Sequence, residues 1–320
     1  MSVTPITESI TLPHKPTASL AITYTPPSPP PGKHTTTLLL FLNGLTLPRA
    51  PWSAVLDNLL SRAIPHPATL QYDRYGQGDS PPDPSDPPNT PYGHDASTIT
   101  TDLHALLTQI STTKLSLPLD KIRLVIVANS IGCALARLYA ASHPGQVAGY
   151  IFLDAMMANS DFVSLIPDPD APSFDETNLP GNVSTDDLRG ARQRIAAVFH
   201  PSVGNPERFD RRNLAELLPL ADGPVLPAGP DGKVPRLVVV GHDPETFAEQ
   251  SEKGILSLPK AVTNAYVNPA WHAYNEGLAR LVGDSSGELK IARGCGHFIQ
   301  KDDPVFVADE IVRVLEAIDA

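Results

Sequence analysis

The chain has 320 residues, of which 41% are hydrophobic and 18% are charged, a composition that excludes disordered and fibrous classes of protein. The net charge of −11 repels phosphate backbones and anionic lipid heads. We therefore expect neither a nucleic acid nor a membrane surface as a partner.

The predicted elements alternate between short apolar runs and amphipathic helical patterns. Predicted strands cover residues 10–12, 20–24, 37–42, 69–72, 123–127, 149–153, 236–240 and 289–292. Predicted helices cover residues 52–62, 95–110, 131–142, 185–199, 207–218, 271–281 and 304–318. Strands that alternate with helices predict an α/β fold, with a mostly parallel central sheet and helices on both faces.

Residues 156–233 interrupt this alternation. They hold two of the predicted helices between loops rich in proline and glycine, which favour extended connections. We expect a first part of the core at 1–155, a helical cap or lid insertion at 156–233, and a second part of the core at 234–320.

No apolar run approaches the ~18 residues that a membrane span needs. The amino terminus also lacks the basic start and apolar stretch of a secretory signal. Two cysteines, Cys133 and Cys295, do not make a disulfide framework. These features predict a soluble, cytoplasmic protein, and the sequence leaves its oligomeric state open.

The segment LVIVANSIGC passes from a predicted strand directly into a helix and carries Ser130 at the turn. Ala128 and Gly132 are small, as a tight turn requires two residues before and two residues after the serine. This pattern is typical of a nucleophile elbow, which exposes the serine hydroxyl above the sheet edge. The amino end of the following helix would also favour negative charge at the site.

His297 stands in the motif GCGHF, between the last predicted strand and the closing helix. Because an imidazole titrates near neutrality, we expect His297 to be the general base that accepts the proton of the serine. Apart from His242 and His272, the other histidines lack a comparable context. Asp154 and Asp243 each follow a predicted strand at the same edge, and either carboxylate could orient the imidazole.

Together these features resemble the α/β-hydrolase superfamily, in which the triad follows the chain order serine, acid, histidine. The motif DRYGQGDS, at residues 73–80, is similar to the family's D-x-x-G-x-G-x-S turn after the fourth strand. The resemblance extends from about residue 10 to residue 317, apart from the insertion. It implies the fold and the catalytic apparatus, and it does not identify a substrate.

The resemblance implies that the backbone N–H groups of Leu45 and Ile131 form an oxyanion hole. The family usually has His-Gly where this chain has Asn43 and Gly44, and we expect these two residues to contact the substrate.

The family places the triad acid after either of two strands. The commoner place corresponds to Asp243, although the usual Gly-x-x-Asp spacing is missing there. Asp154 lies 24 residues after Ser130, as in haloalkane dehalogenases and fungal zearalenone lactonases, which carry the acid after the earlier strand. This placement favours Asp154 and leaves Asp243 open.

Several apolar residues are candidates to line the substrate pocket. Met156, Met157 and Phe162 begin the insertion, and ordinary packing inside the cap is the alternative interpretation. Trp271 and His272 open a helix that members of the family can bring near the pocket, although for His272 a solvated helix surface is the favoured interpretation.

The sequence holds no H-E-x-x-H motif, paired CxxC, Rossmann glycine fingerprint or Walker lysine, so we expect no metal and no cofactor. We predict a serine hydrolase that cleaves a carboxylic ester or lactone of a hydrophobic small molecule. Serine at position 130 disfavours dehalogenase and epoxide-hydrolase chemistry, which use aspartate there. The alternatives are a non-hydrolytic natural-product enzyme (C–C cleaving or cyclising), a ligand-binding receptor and an interaction protein with an inert site.

Overall fold

The computed structural model describes residues 4–28, 36–62, 65–285 and 287–319. These residues form one eight-stranded sheet with the strand order β1-β2-β4-β3-β5-β6-β7-β8. Strand β2 pairs antiparallel with β1 and with β4, and the remaining neighbours are parallel. The predicted α/β class with a mostly parallel sheet is therefore confirmed. The strands are β1 Ile6–Thr11, β2 Ser19–Thr25, β3 Thr36–Leu42, β4 Ala68–Tyr72, β5 Ile122–Asn129, β6 Val147–Leu153, β7 Arg236–His242 and β8 Glu288–Ala292.

Ten α-helical segments are found in the described part of the chain. They are α1 Ser53–Leu60, α2 Ala96–Thr113, α3 Ile131–Ser142, α4 Thr185–Val198, α5 Leu214–Leu217, α6 Pro244–Lys253, α7 Lys260–Val262, α8 Asn268–Ala279, α9 Ile299–Asp302 and α10 Pro304–Asp319. A π-helical turn, Thr263–Val267, joins α7 to α8. Short 3-10 turns occur at Ala50–Trp52, Leu119–Lys121, Val163–Leu165, Glu176–Asn178, Pro230–Gly232 and Arg280–Ser285.

Both faces of the sheet are buried, which explains the continuous apolar runs of the central strands. In β3, Leu38 and Leu40 face a cluster that includes α2, α3 and α8, while Leu39 and Phe41 face a second cluster with α1 and α10. The carboxyl ends of β5, β6 and β7 lie side by side, so the residues that follow these strands gather at one edge.

The segment 156–233 contains α4, which begins at Ser184 with a reciprocal capping box between Ser184 and Asp187. The helix predicted over residues 207–218 is wrong, because the only α-helix there is the short α5. Arg208 has a φ of 60°, outside the helical range, and the Arg211 guanidinium bonds instead to backbone carbonyls of residues 199–203. Apolar residues of the segment join the same buried cluster as the sheet, and its role as a cap remains a prediction.

Helix α6 is not among the predicted elements. It is mostly polar and has a single fully buried side chain, Ala248. Among the described residues, no helix has the length and apolar character that a bilayer crossing would demand.

Candidate active site

Ser130 occupies the sharp turn between β5 and α3, with φ 57° and ψ −123°. Such a backbone is strained for a residue with a side chain, and strain of this kind concentrates at functional sites. A Cβ on Gly132 would come within 2.6 Å of the carbonyl oxygen of Leu42. The close approach of α3 to β3 therefore requires glycine at this position, as the small-residue pattern suggests.

The loop after β3 lies directly against the turn that carries Ser130. A Cβ on Gly44 would lie 3.4 Å from the Cβ of Ser130. The buried guanidinium of Arg74 donates to the carbonyl oxygens of Asn43 and Gly44, each at 2.9 Å, and Gln77 Nε2 also donates to the Gly44 carbonyl at 2.9 Å. These donors hold both carbonyl groups and so fix the orientation of the loop's peptide planes.

The backbone N–H groups of Leu45 and Ile131, near Ser130, have no acceptor among the described residues. Leu45 follows Gly44, and its N–H has no hydrogen-bond acceptor among the described residues. Ile131 is the first residue of α3, where N–H groups have no intrahelical acceptor. The Asn43 side chain turns the other way, because its amide donates to the Tyr72 carbonyl and accepts from Trp52 Nε1, both at 2.8 Å.

Asp154 is fully buried at the end of β6, and its Oδ2 accepts a hydrogen bond of 2.6 Å from His297 Nδ1. Burial raises the pKa of this carboxyl, but the interactions with His242 and His297 outweigh burial and hold the pKa below its ordinary value. Asn129, one residue before Ser130, donates to the backbone carbonyl of His297 at 3.1 Å. The serine turn and the histidine loop are thus joined.

Asp243 does not contact His297. It is the N-cap of α6, where its carboxylate accepts from the N–H groups of Glu245 and Thr246 at 3.1 and 3.2 Å. Desolvation raises the pKa of the Asp243 carboxyl. Hydrogen bonds from backbone N–H groups, including that of Gly294, outweigh this effect and hold the pKa below its ordinary value. The structure therefore brings Ser130, Asp154 and His297 to one edge of the sheet and assigns Asp243 to a helix end.

The sequence profile of the alpha/beta hydrolase family matches residues 39–310. The chain belongs to the α/β-hydrolase family. No curated protein matches the sequence.

Solved structures similar to this α/β-hydrolase include a thermophilic esterase from Thermogutta terrifontis, with 16% identity, a TM-score of 0.53 and coverage of 98% of this chain and 100% of the other. An epoxide hydrolase mutant from Vigna radiata shares 13% identity with a TM-score of 0.56 and coverage of 98% and 99%. The alpha/beta hydrolase domain-containing protein 10 from mouse shares 10% identity, with the same TM-score and coverage. At these identities the likeness establishes the fold.

Aromatic rings surround the histidine of this α/β-hydrolase. The ring of Trp271 meets that of His297 edge-on at a centroid distance of 5.6 Å, and Trp271 Nε1 is fixed by the Ala155 carbonyl at 2.9 Å. Phe162 lies 6.1 Å from the Trp271 ring and 5.8 Å from the ring of Phe199, so aromatic contacts extend from His297 to the protein surface.

The remaining predicted site residues have different environments. Met157 is buried in the large apolar cluster and Met156 is partly buried against it. His272 is exposed on the outer side of α8, with its Nε2 3.5 Å from Glu276, and it does not join the other candidates.

His242 is not among the predicted site residues, although it ends β7 beside the site. Its Nδ1 lies 2.8 Å from Asp154 Oδ1, and its Nε2 lies 3.1 Å from Asn268 Oδ1. Its position at the carboxyl end of a central strand, one residue before Asp243, is the sequence feature that could have predicted its place beside the site.

One cluster has the residue types that bind metal ions. Potential ligand atoms of Asp83, Asp86 and His94 lie within 4.8 Å of one another. The Lys15 ammonium already contacts Asp83, so a cation of the chain supplies the charge that a metal would bring.

Proposed function

We propose that this chain is a serine hydrolase that cleaves a carboxylic ester or lactone of a hydrophobic small molecule through an acyl-enzyme. The observation that carries the proposal is the 2.6 Å bond between His297 Nδ1 and Asp154 Oδ2 beside the strained turn of Ser130. Acyl transfer by a serine requires a base whose imidazole is oriented by a carboxylate, and His297 with Asp154 supplies that pair.

Asp154, rather than Asp243, is the acid in this proposal. Because the carboxylate of Asp154 engages Nδ1, it selects the tautomer in which Nε2 of His297 is the proton acceptor. His297 Nε2 then takes the proton of Ser130 Oγ as the oxygen attacks the carbonyl carbon. The same proton passes to the oxygen of the departing alcohol, which leaves the acyl-enzyme on Ser130. His297 then activates a water molecule, which hydrolyses the acyl-enzyme and releases the carboxylic acid product.

The N–H groups of Leu45 and Ile131 are the proposed oxyanion hole. In the part of the chain that the structure describes, neither has an acceptor of its own, and both lie beside Ser130. The bonds of Arg74 and Gln77 to the loop carbonyls hold the first of these donors in place before the reaction begins. Preorganised donors of this type contribute about 3 kcal/mol each to the stabilisation of the transition state.

The substrate class follows from the groups around His297. Trp271 and Phe162 are aromatic, and the apolar Met156 and Met157 follow Asp154 by two and three residues. We propose that residues 156–233 form a cap that carries part of this surface. The hydrogen bonds of the Asn43 side chain to Tyr72 and Trp52 support a role for Asn43 in positioning the loop. The exposed position of His272 supports a solvated surface rather than a substrate contact.

Cellular context is part of the same proposal. The net charge of −11 supports a small-molecule partner over a nucleic acid, and both cysteines are free, in agreement with a reducing cytoplasm. Fractionation of expressing cells would test the location, and recovery of the protein outside the soluble fraction would contradict it.

The experiment is intact-mass analysis after treatment with a fluorophosphonate, on wild type, Ser130→Ala and the control Ser142→Ala. Ser142 ends the same helix and is exposed. We expect one adduct on wild type and on the control, and none on Ser130→Ala. Hydrolysis of a panel of esters and lactones should then fall by at least about a thousandfold in Ser130→Ala. Folded wild type without an adduct would overturn the proposal.

A further inference from the structure

The carboxylate of Asp154 holds a second histidine besides His297. His242 is 4% exposed, and its Nδ1 contacts Asp154 Oδ1 at 2.8 Å while its backbone N–H donates to the same oxygen at 3.2 Å. Because the carboxylate has no proton to give, His242 Nδ1 must carry the hydrogen of this bond.

The other ring nitrogen of His242 faces an amide oxygen. Asn268 Nδ2 donates to the Pro244 carbonyl at 2.9 Å and to Asn264 Oδ1 at 2.7 Å, and Asn264 in turn donates to a carboxylate oxygen of Glu245 at 3.3 Å. These acceptors fix the orientation of Asn268, since a flipped amide would set its oxygen against the Pro244 carbonyl. Asn268 Oδ1 therefore points to His242 Nε2, at 3.1 Å.

An acceptor opposite each ring nitrogen requires a hydrogen on both. We infer that His242 is held as an imidazolium and that, by sharing the charge of Asp154, it keeps His297 neutral. The second part rests on the proposed function, in which His297 must be unprotonated to accept a proton from Ser130.

Burial opposes a charge on His242, whereas its aromatic contacts favour the cationic form. The ring is stacked on Phe247 at a centroid distance of 4.0 Å and an angle of 16°, and Trp271 lies edge-on at 5.5 Å. An aromatic face attracts a cation that lies over it.

Among the described residues, the titratable groups next to His242 are Asp154, His297, Glu245 and its chain neighbour Asp243, whose carboxylate accepts from backbone N–H groups of α6. Asp154 faces it from the end of β6, and His297 lies on the other oxygen of that carboxylate. From α6, Glu245 acts through the chain of amides, and α8 presents the uncharged Asn268 and Trp271.

A lone aspartate would strongly favour the protonated form of His297. A cation on the opposite oxygen cancels much of that attraction, since like charges disfavour each other's ionised form. In this inference His242 therefore favours the neutral form of His297, the form that the proposed general base needs.

The direct test is NMR of the protein labelled with 15N in histidine, with long-range correlations to the ring protons. Loss of one set of signals in His242→Asn assigns the residue. At about pH 7, where an isolated histidine is mostly neutral, both ring nitrogens of His242 should be protonated. A bare ring nitrogen on His242 would overturn the inference, whatever the activity of the protein.

The second test is the pH dependence of fluorophosphonate labelling in wild type, His242→Asn and the control His14→Gln. The asparagine amide can still donate to Asp154 without carrying a charge. His14 also pairs with an aspartate, at 2.7 Å from Asp102, but lies far along the chain from the site. We expect the acidic limb to move to higher pH by about one unit in His242→Asn, and to stay in place in the control.

The two proposals fail separately. A doubly protonated His242 in a chain that the fluorophosphonate does not label would preserve the charge assignment and overturn the hydrolase function. Labelling at Ser130 with an unshifted acidic limb in a folded His242→Asn would preserve the hydrolase and overturn the role of His242.

Discussion

The buried carboxylate of Asp154 accepts side-chain hydrogen bonds from two imidazoles, and no arginine or lysine forms an ion pair with it among the described residues. Loss of its charge would therefore act on both histidines at once. Asp243, by contrast, serves a helix end at the protein surface and accepts from backbone N–H groups, a task that an asparagine performs nearly as well.

We predict that Asp154→Asn lowers kcat for a simple ester by about ten-thousandfold, because the amide cannot stabilise the imidazolium and permits the wrong tautomer. Asp243→Asn should stay near wild type in kcat and in thermal unfolding temperature. Steady-state kinetics on both variants, with circular dichroism to establish folding, provide the comparison. The assignment of the acid would be wrong if Asp243→Asn were the more damaged variant.

At the scale of elements, α3 packs against β3 at a point where no side chain fits. A methyl group on Gly132 would collide with the backbone oxygen of Leu42, and backbone gives way less readily than a side chain. Because α3 begins at Ile131, a shift of this helix would also displace a proposed oxyanion donor.

We predict that Gly132→Ala lowers the free energy of unfolding by about 1–3 kcal/mol and also lowers kcat, since the helix must move to admit the methyl group. Gly181 is the control, because a Cβ there meets nothing within 4 Å and its φ lies outside the left-handed range. Denaturant titration and ester hydrolysis measure the two effects. Gly132→Ala with the stability and rate of Gly181→Ala would contradict the packing argument.

The elements that the sequence predicts well are those with a strong apolar signature. The run at residues 37–42 predicts β3 because both faces of that strand are buried, and α3 was predicted at Ile131–Ser142, its observed bounds. Helix α6 is not predicted because most of its side chains are exposed, so its sequence has few apolar residues to form a helical pattern. The false helix over 207–218 shows the reverse case, in which Arg211 bonds to distant carbonyls that no local pattern reveals.

The same physics limits the prediction of the site. Ser130 and His297 stand out because each lies in a local motif of small residues that a sharp turn demands. The choice between Asp154 and Asp243 depends on which carboxylate meets the imidazole in space, and local spacing does not determine that contact. His242 and Asn268 are 26 residues apart and belong to different elements, so their contact could not be predicted from either segment alone.

At the scale of the whole molecule, Glu207 provides one of the polar contacts that attach the segment 156–233 to the core. This buried carboxylate pairs with Arg74 at 3.2 Å and accepts from the backbone N–H of Thr46 at 3.1 Å. Arg74 in turn holds the carbonyl groups of the loop beside Ser130. The insertion and the proposed oxyanion loop thus share one buried ion pair.

We predict that Glu207→Gln destabilises the protein by about 3–5 kcal/mol, because it leaves the Arg74 charge buried without its partner. In the fraction that folds, kcat should fall by about tenfold to a hundredfold, since a loop that shifts by a fraction of an ångström no longer directs its N–H group at the oxyanion. Glu216→Gln, an exposed glutamate of the same segment, is the matched control and should change neither quantity. If Glu207→Gln unfolded at a lower temperature yet kept its full kcat, the ion pair would secure the insertion without positioning the loop. If both quantities stayed at the level of Glu216→Gln, the insertion would not depend on this pair at all.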